Sequence, residues 1–288
     1  MNFDWHKFWE IIADSVIDSL ELFPFLLVTY LLLEYFEHRS SKKSLNLIGK
    51  AGKSGPIAGA LVGLIPQCGF AAVAANFYAA RAISVGTLTA VLVATSDEML
   101  PILISNAVAP QTILKILGLK LLFGIVIGLG LDAVWRRQAQ AVNVEPLCEK
   151  EDCHCAGSGI VKPALYHSIK ITLFVLIVTL FLNILLAYFG ERFWHNIVFN
   201  RPIIGPMLAG IIGLIPNCSA SVAITQLWIE GAINSGALIA GLSAGGGVGL
   251  LVLFRVNPNR KENIKIAIIL YISAVLSGML TEFLSVNL

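Results

Sequence analysis

Eight apolar stretches alternate with short polar loops along the chain. Their lengths are close to the ~20 residues that cross a bilayer as an α-helix. The pattern therefore predicts an all-α polytopic membrane protein, in which lipid rather than water covers most of the outer surface. In chain order the stretches are 20–37, 55–80, 82–104, 112–134, 169–189, 205–230, 232–254 and 262–284.

Two of the stretches are interrupted by the same Gly-Leu-Ile-Pro sequence, which ends at Pro66 in one and at Pro216 in the other. Proline removes a backbone N–H and frees a carbonyl, and a membrane tolerates such backbone only beside protein or water. Each interrupted stretch is therefore either a re-entrant hairpin with its tip near the bilayer midplane or one proline-kinked spanning helix. The stretches that follow are interrupted as well, by Ser-Asp-Glu at 96–98 and by Gly-Gly-Gly at 245–247.

The second half of the chain repeats the first at an offset of 150 residues. Within 55–104, 16 of 50 residues are identical to their equivalents in 205–254. The shared Gly-Pro and Pro-x-Cys positions carry this inference, because matches among Leu, Ile and Ala are common in any apolar sequence. The repeat predicts a first membrane repeat at 1–137, a cytoplasmic Cys- and His-containing linker at 138–163 and a second membrane repeat at 164–288.

Charged residues are too few to cover a globular surface. They make up 13% of the 288 residues, against 57% for hydrophobic residues, whereas soluble domains carry about 25% charged residues. The composition therefore excludes a soluble globular protein. The sequence also has no Gly-x-x-x-x-Gly-Lys-Ser/Thr phosphate loop, so we do not expect a nucleotide-driven pump. A nucleic-acid partner is not expected either.

Equivalent loops of the two halves carry opposite charge bias. Loop 39–53 holds five basic residues and no acid, which predicts a cytoplasmic position. Loop 104–114 has no charge, whereas its equivalent 254–264 holds three basic residues and one acid. The reversal predicts two inverted-topology repeats with discontinuous helices, both termini outside and the linker in the cytoplasm. Many secondary transporters have this architecture.

Polar side chains concentrate at the interruptions of the apolar stretches. Ionisable residues at membrane depth usually face a cavity or a pathway. Carboxylate and amide oxygens suit hard cations, and cysteine sulfur suits softer ions. The alternatives are acids at an external interface, and small residues or buried cysteines that serve helix packing. The predicted substrate or metal pathway consists of Gln67, Cys68, Asn76, Ser96, Asp97, Glu98, Asn217, Cys218 and Ser219, with Glu34 as a further candidate.

The linker contains a second group of candidate ligands. Cys148, Cys153, His154 and Cys155 lie together in an acidic stretch, although their spacing is not that of a zinc finger. In a reducing cytoplasm these thiols remain available for a metal. The linker is therefore either a metal-capture loop or an unstructured connector.

Three of the motifs resemble a known family. The sequences Gly-Leu-Ile-Pro-Gln-Cys-Gly at 63–69, Ser-Asp-Glu-Met-Leu-Pro at 96–101 and Gly-Leu-Ile-Pro-Asn-Cys at 213–218 are similar to those of the ten-helix heavy-metal exporters. Members of that family are described as manganese transporters or arsenic efflux proteins. The resemblance covers nearly the whole chain and implies a multi-pass permease of the bacterial cytoplasmic (inner) membrane that exports a metal or metalloid ion.

The resemblance and the acids together favour a secondary transporter that exports a manganese-like divalent cation and is coupled to protons or another ion. The ion is then the substrate, no cofactor is expected, lipid is the surrounding partner, and a homodimer is a further expectation. An arsenite or organoarsenical efflux permease is the alternative. The alternative of another class is a membrane-embedded polyprenyl diphosphate phosphatase, but no Arg lies near the two Pro-x-Cys motifs except Arg81, so we do not expect an enzyme.

Overall fold

The computed structural model describes residues 54–66, 68–96, 99–135, 161–194, 202–216 and 218–284, with single helical positions between 9 and 31. Helices dominate this part of the chain, and no strand occurs in it. The protein is an all-α polytopic membrane protein, as the sequence predicts. The chain forms two compact units, of which the first is Met1–Asn46 with Asn143–Ile197 and the second is Leu47–Val142 with Val198–Leu288.

The helices of the second unit come in equivalent pairs, whose bounds follow the 150-residue offset to within a few residues. Among the helices named here, α6 belongs to the first unit. In chain order the helices are α1 (Gly55–Gly63), α2 (Cys68–Ala79), α3 (Val85–Ala94), α4 (Met99–Ser105), α5 (Pro110–Val134), α6 (Val161–Trp194), α7 (Ile204–Gly213), α8 (Cys218–Ile229), α9 (Ser235–Ala244), α10 (Gly247–Val256) and α11 (Arg260–Phe283).

The first unit contains α6, a helix of 34 residues. Such a helix is about 50 Å long and exceeds the thickness of the bilayer core. Its buried residues lie four and three positions apart, which places them on one face, whereas large apolar residues are exposed on the others. The buried stripe comprises Ala164, Ser168, Ile171 and Val175.

Four stretches of the second unit are long and apolar enough to cross a membrane, by length and composition. The two discontinuous stretches, Val85–Ser105 and Ser235–Val256, are 75% and 89% buried over their most apolar windows. The two continuous helices, Pro110–Val134 and Arg260–Phe283, are 33% and 39% buried. The broken helices therefore form the centre of this unit, and the continuous helices present apolar faces to lipid.

Helix α1 lies against α3 and runs in the same direction. A Cβ added at Gly55 would lie 2.5 Å from the Thr87 hydroxyl oxygen, and one added at Gly63 would lie 2.6 Å from the Val91 carbonyl oxygen. Only glycine permits helices to approach this closely. Helix α7 approaches α9 in the same way, so the two halves share this packing.

Equivalent carboxylates bind the first turns of α3 and α9. Asp132 accepts hydrogen bonds from the Gly86 N–H at 2.9 Å and from the Ser84 hydroxyl at 2.7 Å. Glu282 accepts one from the Gly236 N–H at 3.1 Å. A carboxylate beside free N–H groups at a helix N-terminus is stabilising. Both acids therefore have a structural role, and this local structure repeats at the offset found in the sequence.

We expect D132N and E282Q each to lower the free energy of unfolding by about 1 kcal/mol, because an amide loses the attraction between the carboxylate and the helix N-terminus. In a thermal melt of the purified protein, this is a shift of about 2–4 °C. E230Q is the matched control, because the Glu230 carboxylate accepts a hydrogen bond only from the exposed Gln226 side chain among the described atoms. A midpoint for E282Q equal to that of E230Q would contradict the capping role.

Candidate functional site

The two broken helices end at equivalent positions in the middle of their spans. Helix α3 ends at Ala94, and Thr95 leaves the helix with φ −52° and ψ 128°. Helix α9 ends at Ala244 and is followed by Gly245 with ψ 65°. The last carbonyl groups of a helix have no partner within it and carry a partial negative charge. Both helix ends lie in the middle of a span, where lipid supplies no hydrogen-bond donor to these carbonyl groups.

The first turns of α2 and α8 lie against the second of these breaks. A Cβ added at Gly249 would lie 2.8 Å from the carbonyl oxygen of Ala71, one turn into α2. A Cβ added at Gly245 would lie 3.3 Å from the hydroxyl oxygen of Ser221, one turn into α8. Both helices begin at the cysteine of a Pro-x-Cys motif. The residues that follow the two motifs thus meet at the segment 245–249.

A buried lysine binds the end of α9. Lys120 is fully buried in the middle of α5, and its Nζ donates a hydrogen bond of 3.0 Å to the Leu242 carbonyl oxygen. Gly124, one turn further along α5, packs against Ala90 and Ala94 of α3. Lys120 therefore lies level with the C-terminal ends of both α3 and α9.

Buried hydroxyl groups surround the same helix ends. Thr95 donates to the Val91 carbonyl at 2.7 Å, and Ser96 donates to the Ala94 carbonyl at 3.1 Å. The Ser243 hydroxyl is fully buried and pairs with none of the described atoms. Buried hydroxyls normally have a partner, so Ser243 marks a position at which a polar ligand or water would be stabilised.

Two of the predicted pathway residues have described side chains. Asn76 is buried in α2 and donates to the Ala72 carbonyl at 3.0 Å, and Ser96 lies at the end of α3. Helices α2 and α8 begin at Cys68 and Cys218, but the described side chains do not include these two cysteines or Ser219. Outside the described residues lie Glu34, Gln67, Asp97, Glu98, Cys148, Cys153, His154, Cys155 and Asn217, whose roles stay predictions.

A polar cluster joins the two halves at one end of the second unit. Arg81 donates to both oxygens of Glu262, at 2.6 and 2.9 Å, and the Tyr78 hydroxyl donates to the same carboxylate. This bidentate bond raises the pKa of the Arg81 guanidinium, which stays charged. Arg81 adopts a left-handed φ of 60°, where the equivalent Gly231 has 72°. The ion pair therefore offsets a backbone strain that glycine avoids in the other half.

We expect a double-mutant cycle of R81Q and E262Q to give a coupling energy of about 1 kcal/mol in thermal or denaturant unfolding. The bidentate geometry favours a larger value, but the Arg81 side chain is 46% exposed and solvent screens the attraction. In the matched cycle of R81Q with E230Q the effects should add, because Glu230 is bonded to Gln226 instead. Additive effects of R81Q and E262Q would show that the ion pair contributes nothing.

The sequence pattern did not identify Lys120 or the Arg81–Glu262 pair as part of a site. Lys120 carried a signal, because it is a basic residue in the middle of a 25-residue apolar helix. Its equivalent in the second half is Leu270. A charge at such a depth in one repeat and not in the other indicates function rather than packing.

Comparison with known protein families agrees with the described fold. The sequence model of the family described as "Putative, 10TM heavy-metal exporter" matches residues 7–204, which is more than half of the chain. The chain belongs to this family. The family is one of membrane transporters for heavy metals. No curated protein and no solved structure gives a significant match.

Proposed function

We propose that this exporter moves a manganese-like divalent cation across the membrane by alternating access, coupled to protons. The observation that carries the proposal is that two helices break at mid-span beside each other, with a buried lysine bound to one of them. A Cβ added at Gly246, after the break of α9, would lie 3.5 Å from the Leu92 side chain near the end of α3. Free carbonyl groups replace the hydration shell of a hard cation, and the nearby acids Asp97 and Glu98 would supply negative charge.

The contacts of α11 support two repeats of inverted topology. Arg81, just before α3, binds Glu262 at the start of α11. Gly236, at the start of α9, binds Glu282 at the end of α11. Because α11 has 24 residues and is about 36 Å long, α3 and α9 begin at opposite ends of it. Antiparallel central helices are the arrangement expected of inverted repeats.

The packing of α1 supports a re-entrant hairpin rather than a kinked span. Helix α1 begins beside Thr87 near the start of α3 and ends beside Ala94 at its break. Helix α2 ends at Ala79, and only residues 80–84 separate it from α3. Helix α2 must therefore return to the level at which α1 began, so the tip at Pro66 would lie near the bilayer midplane.

The distribution of basic residues supports a cytoplasmic position for the end that holds Arg81. A cavity of about 260 Å³ opens there, lined among others by Val85, Trp135, Lys261 and Lys265. Basic residues beside membrane spans favour the cytoplasm. The same orientation places the linker in the cytoplasm and both termini outside.

We therefore expect a membrane-impermeant thiol reagent to leave Cys148, Cys153 and Cys155 unlabelled in intact cells and to label them after permeabilisation. The cysteine of an N106C variant is the positive control, because Asn106 is exposed in the loop after α4, which this topology places outside. Labelling of the linker cysteines from outside would contradict the proposed orientation.

Transport by the purified protein in liposomes tests the function. With an indicator dye inside, Mn²⁺ flux should saturate and should increase when a proton gradient opposes the metal gradient. If Mn²⁺ flux did not respond to a proton gradient, transport would not be coupled to protons. If the protein moves arsenite or methylarsenite but not Mn²⁺, its substrate is an arsenical and not a divalent cation. Cys68 and Cys218 are then the expected ligands, because arsenic prefers sulfur.

A further inference from the structure

A basic cavity lies where the two continuous spans of the second unit end. Helix α5 ends at Val134 and is followed by Trp135, and α11 begins at Arg260. Residues from both of these ends line the cavity of about 260 Å³. Both helices are long and apolar enough to cross the bilayer, so their ends mark the level of the lipid headgroups. The cavity therefore lies at the surface of the membrane.

Two lysines of α11 supply the positive charge of this cavity. Lys261 and Lys265 lie four positions apart, which places both on the same face of the helix. Both are exposed, and neither has an ion pair or a hydrogen bond among the described side chains. Two like charges at this spacing destabilise a helix, and a positive charge in the first turn opposes the helix dipole. Helix stability does not explain the pair, which indicates a ligand of negative charge.

The acids beside the cavity already have partners. Glu262 also lines the cavity, but its carboxylate accepts both hydrogen bonds of the Arg81 guanidinium. Asp132, one turn before the end of α5, binds the N-terminus of α3. Among the described residues, the charges of the two lysines are therefore left without a counter-ion.

The other side chains of the cavity suit the membrane–water interface. Trp135 belongs to a residue type that is enriched at the level of the headgroups. Val85 and Ile266 make part of the wall apolar, and Ile264 and Ile268 expose about half of their side chains on α11. The cavity is smaller than the ~300–1,000 Å³ of sites that enclose a whole small molecule. It therefore suits the phosphate of a lipid whose acyl chains stay in the bilayer.

We propose that this cavity binds the phosphate of an anionic phospholipid, with Lys261 and Lys265 as the groups that hold it. Basic pockets between spanning helices on the cytoplasmic side bind such headgroups, and the orientation proposed above places this end in the cytoplasm. The bound lipid then links the start of α11 to the end of α5. The site goes beyond the proposed function, because it does not depend on which ion is exported.

Titration of the full chain in detergent with phosphatidylglycerol, measured by native mass spectrometry, tests the site. The wild-type protein should bind one such lipid at least about tenfold more tightly than phosphatidylcholine with the same acyl chains. K261Q and K265Q should each weaken binding about fivefold, as expected for one lysine at a membrane surface. R260Q is the matched control and should stay within about twofold of wild type, because Arg260 is exposed at the same helix end but does not line the cavity.

The melting temperature without lipid shows whether the variants fold. Gln111 occupies the position of Lys261 in the equivalent helix of the first half, so K261Q should melt at or above the wild-type temperature. If K265Q does not fold, K261Q decides alone.

Three results would overturn the proposal. Equal weakening by R260Q and K261Q would show attraction to a charged surface without a site. Equal binding of phosphatidylglycerol and phosphatidylcholine would show that the lysines do not select an anionic headgroup. Displacement of phosphatidylglycerol by an equal concentration of inorganic phosphate would identify a free anion as the occupant.

Discussion

D97N and E98Q should each reduce Mn²⁺ transport at least about 100-fold while the protein remains folded. An amide keeps the shape of the side chain but removes its charge, and a divalent cation in a low-dielectric cavity needs that charge. Even at an effective dielectric constant of about 20, one carboxylate about 4 Å from a unit charge contributes about 4 kcal/mol. The loss of a factor of 100 requires only about 2.7 kcal/mol.

The initial rate of Mn²⁺ transport in liposomes tests this expectation, and the melting temperature of each variant shows whether it is folded. E282Q is the matched control, because Glu282 is also an acid within a span but binds the backbone of α9. It should lose stability and keep transport. Proton coupling through the same acids should disappear in D97N and E98Q as well. If both amide variants transported Mn²⁺ at the wild-type rate, the cation site would have to lie away from these acids.

G249V should prevent accumulation of folded protein. A Cβ at Gly249 would lie 2.7–2.8 Å from the Cβ, carbonyl carbon and carbonyl oxygen of Ala71. Two of these three atoms are backbone, which no change of rotamer can move, so α10 would have to separate from α2. Overpacking costs typically 1–3 kcal/mol when neighbours can adjust, and here we expect at least about 3 kcal/mol.

The yield of monodisperse protein after detergent extraction reports this effect. G118A is the matched control, because a Cβ added at Gly118 of α5 meets no atom within 4 Å. Alanine also favours a helix over glycine by about 0.5–1 kcal/mol, so G118A should melt at or slightly above the wild-type temperature. If G249V were extracted as well as G118A, the contact between α2 and α10 would not be needed for folding.

The positions of the helix breaks could be predicted because their signals are local. Helices α1 and α7 end at Gly63 and Gly213, three residues before the prolines that the sequence marks. Helix α9 ends immediately before the Gly-Gly-Gly interruption, and α3 ends one residue before the Ser-Asp-Glu interruption. Proline, consecutive glycines and adjacent acids all disfavour a continuous apolar helix, so neighbouring residues suffice to place these breaks.

The pairings across the unit could not be predicted because they depend on tertiary structure. The bond from Lys120 to Leu242 spans 122 positions, and the pair of Arg81 with Glu262 spans 181. A pattern of apolar residues fixes neither the order of helices nor their depth. Asp132 and Glu282 are an intermediate case, since the repeat relates them and also relates Gly86 to Gly236, but only the fold shows that each acid binds its glycine.

The packing of α2 on α10 has a consequence for synthesis of the protein at the ribosome. Helix α2 is complete at Ala79, whereas its partner begins at Gly247. Helix α8 of the second half contacts α4 of the first in turn. A nascent chain stopped after α5 therefore leaves both α2 and α4 without the neighbours that cover them. Each half should therefore be degraded when the cell makes it alone. Two fragments divided within the linker should accumulate only when the cell makes both.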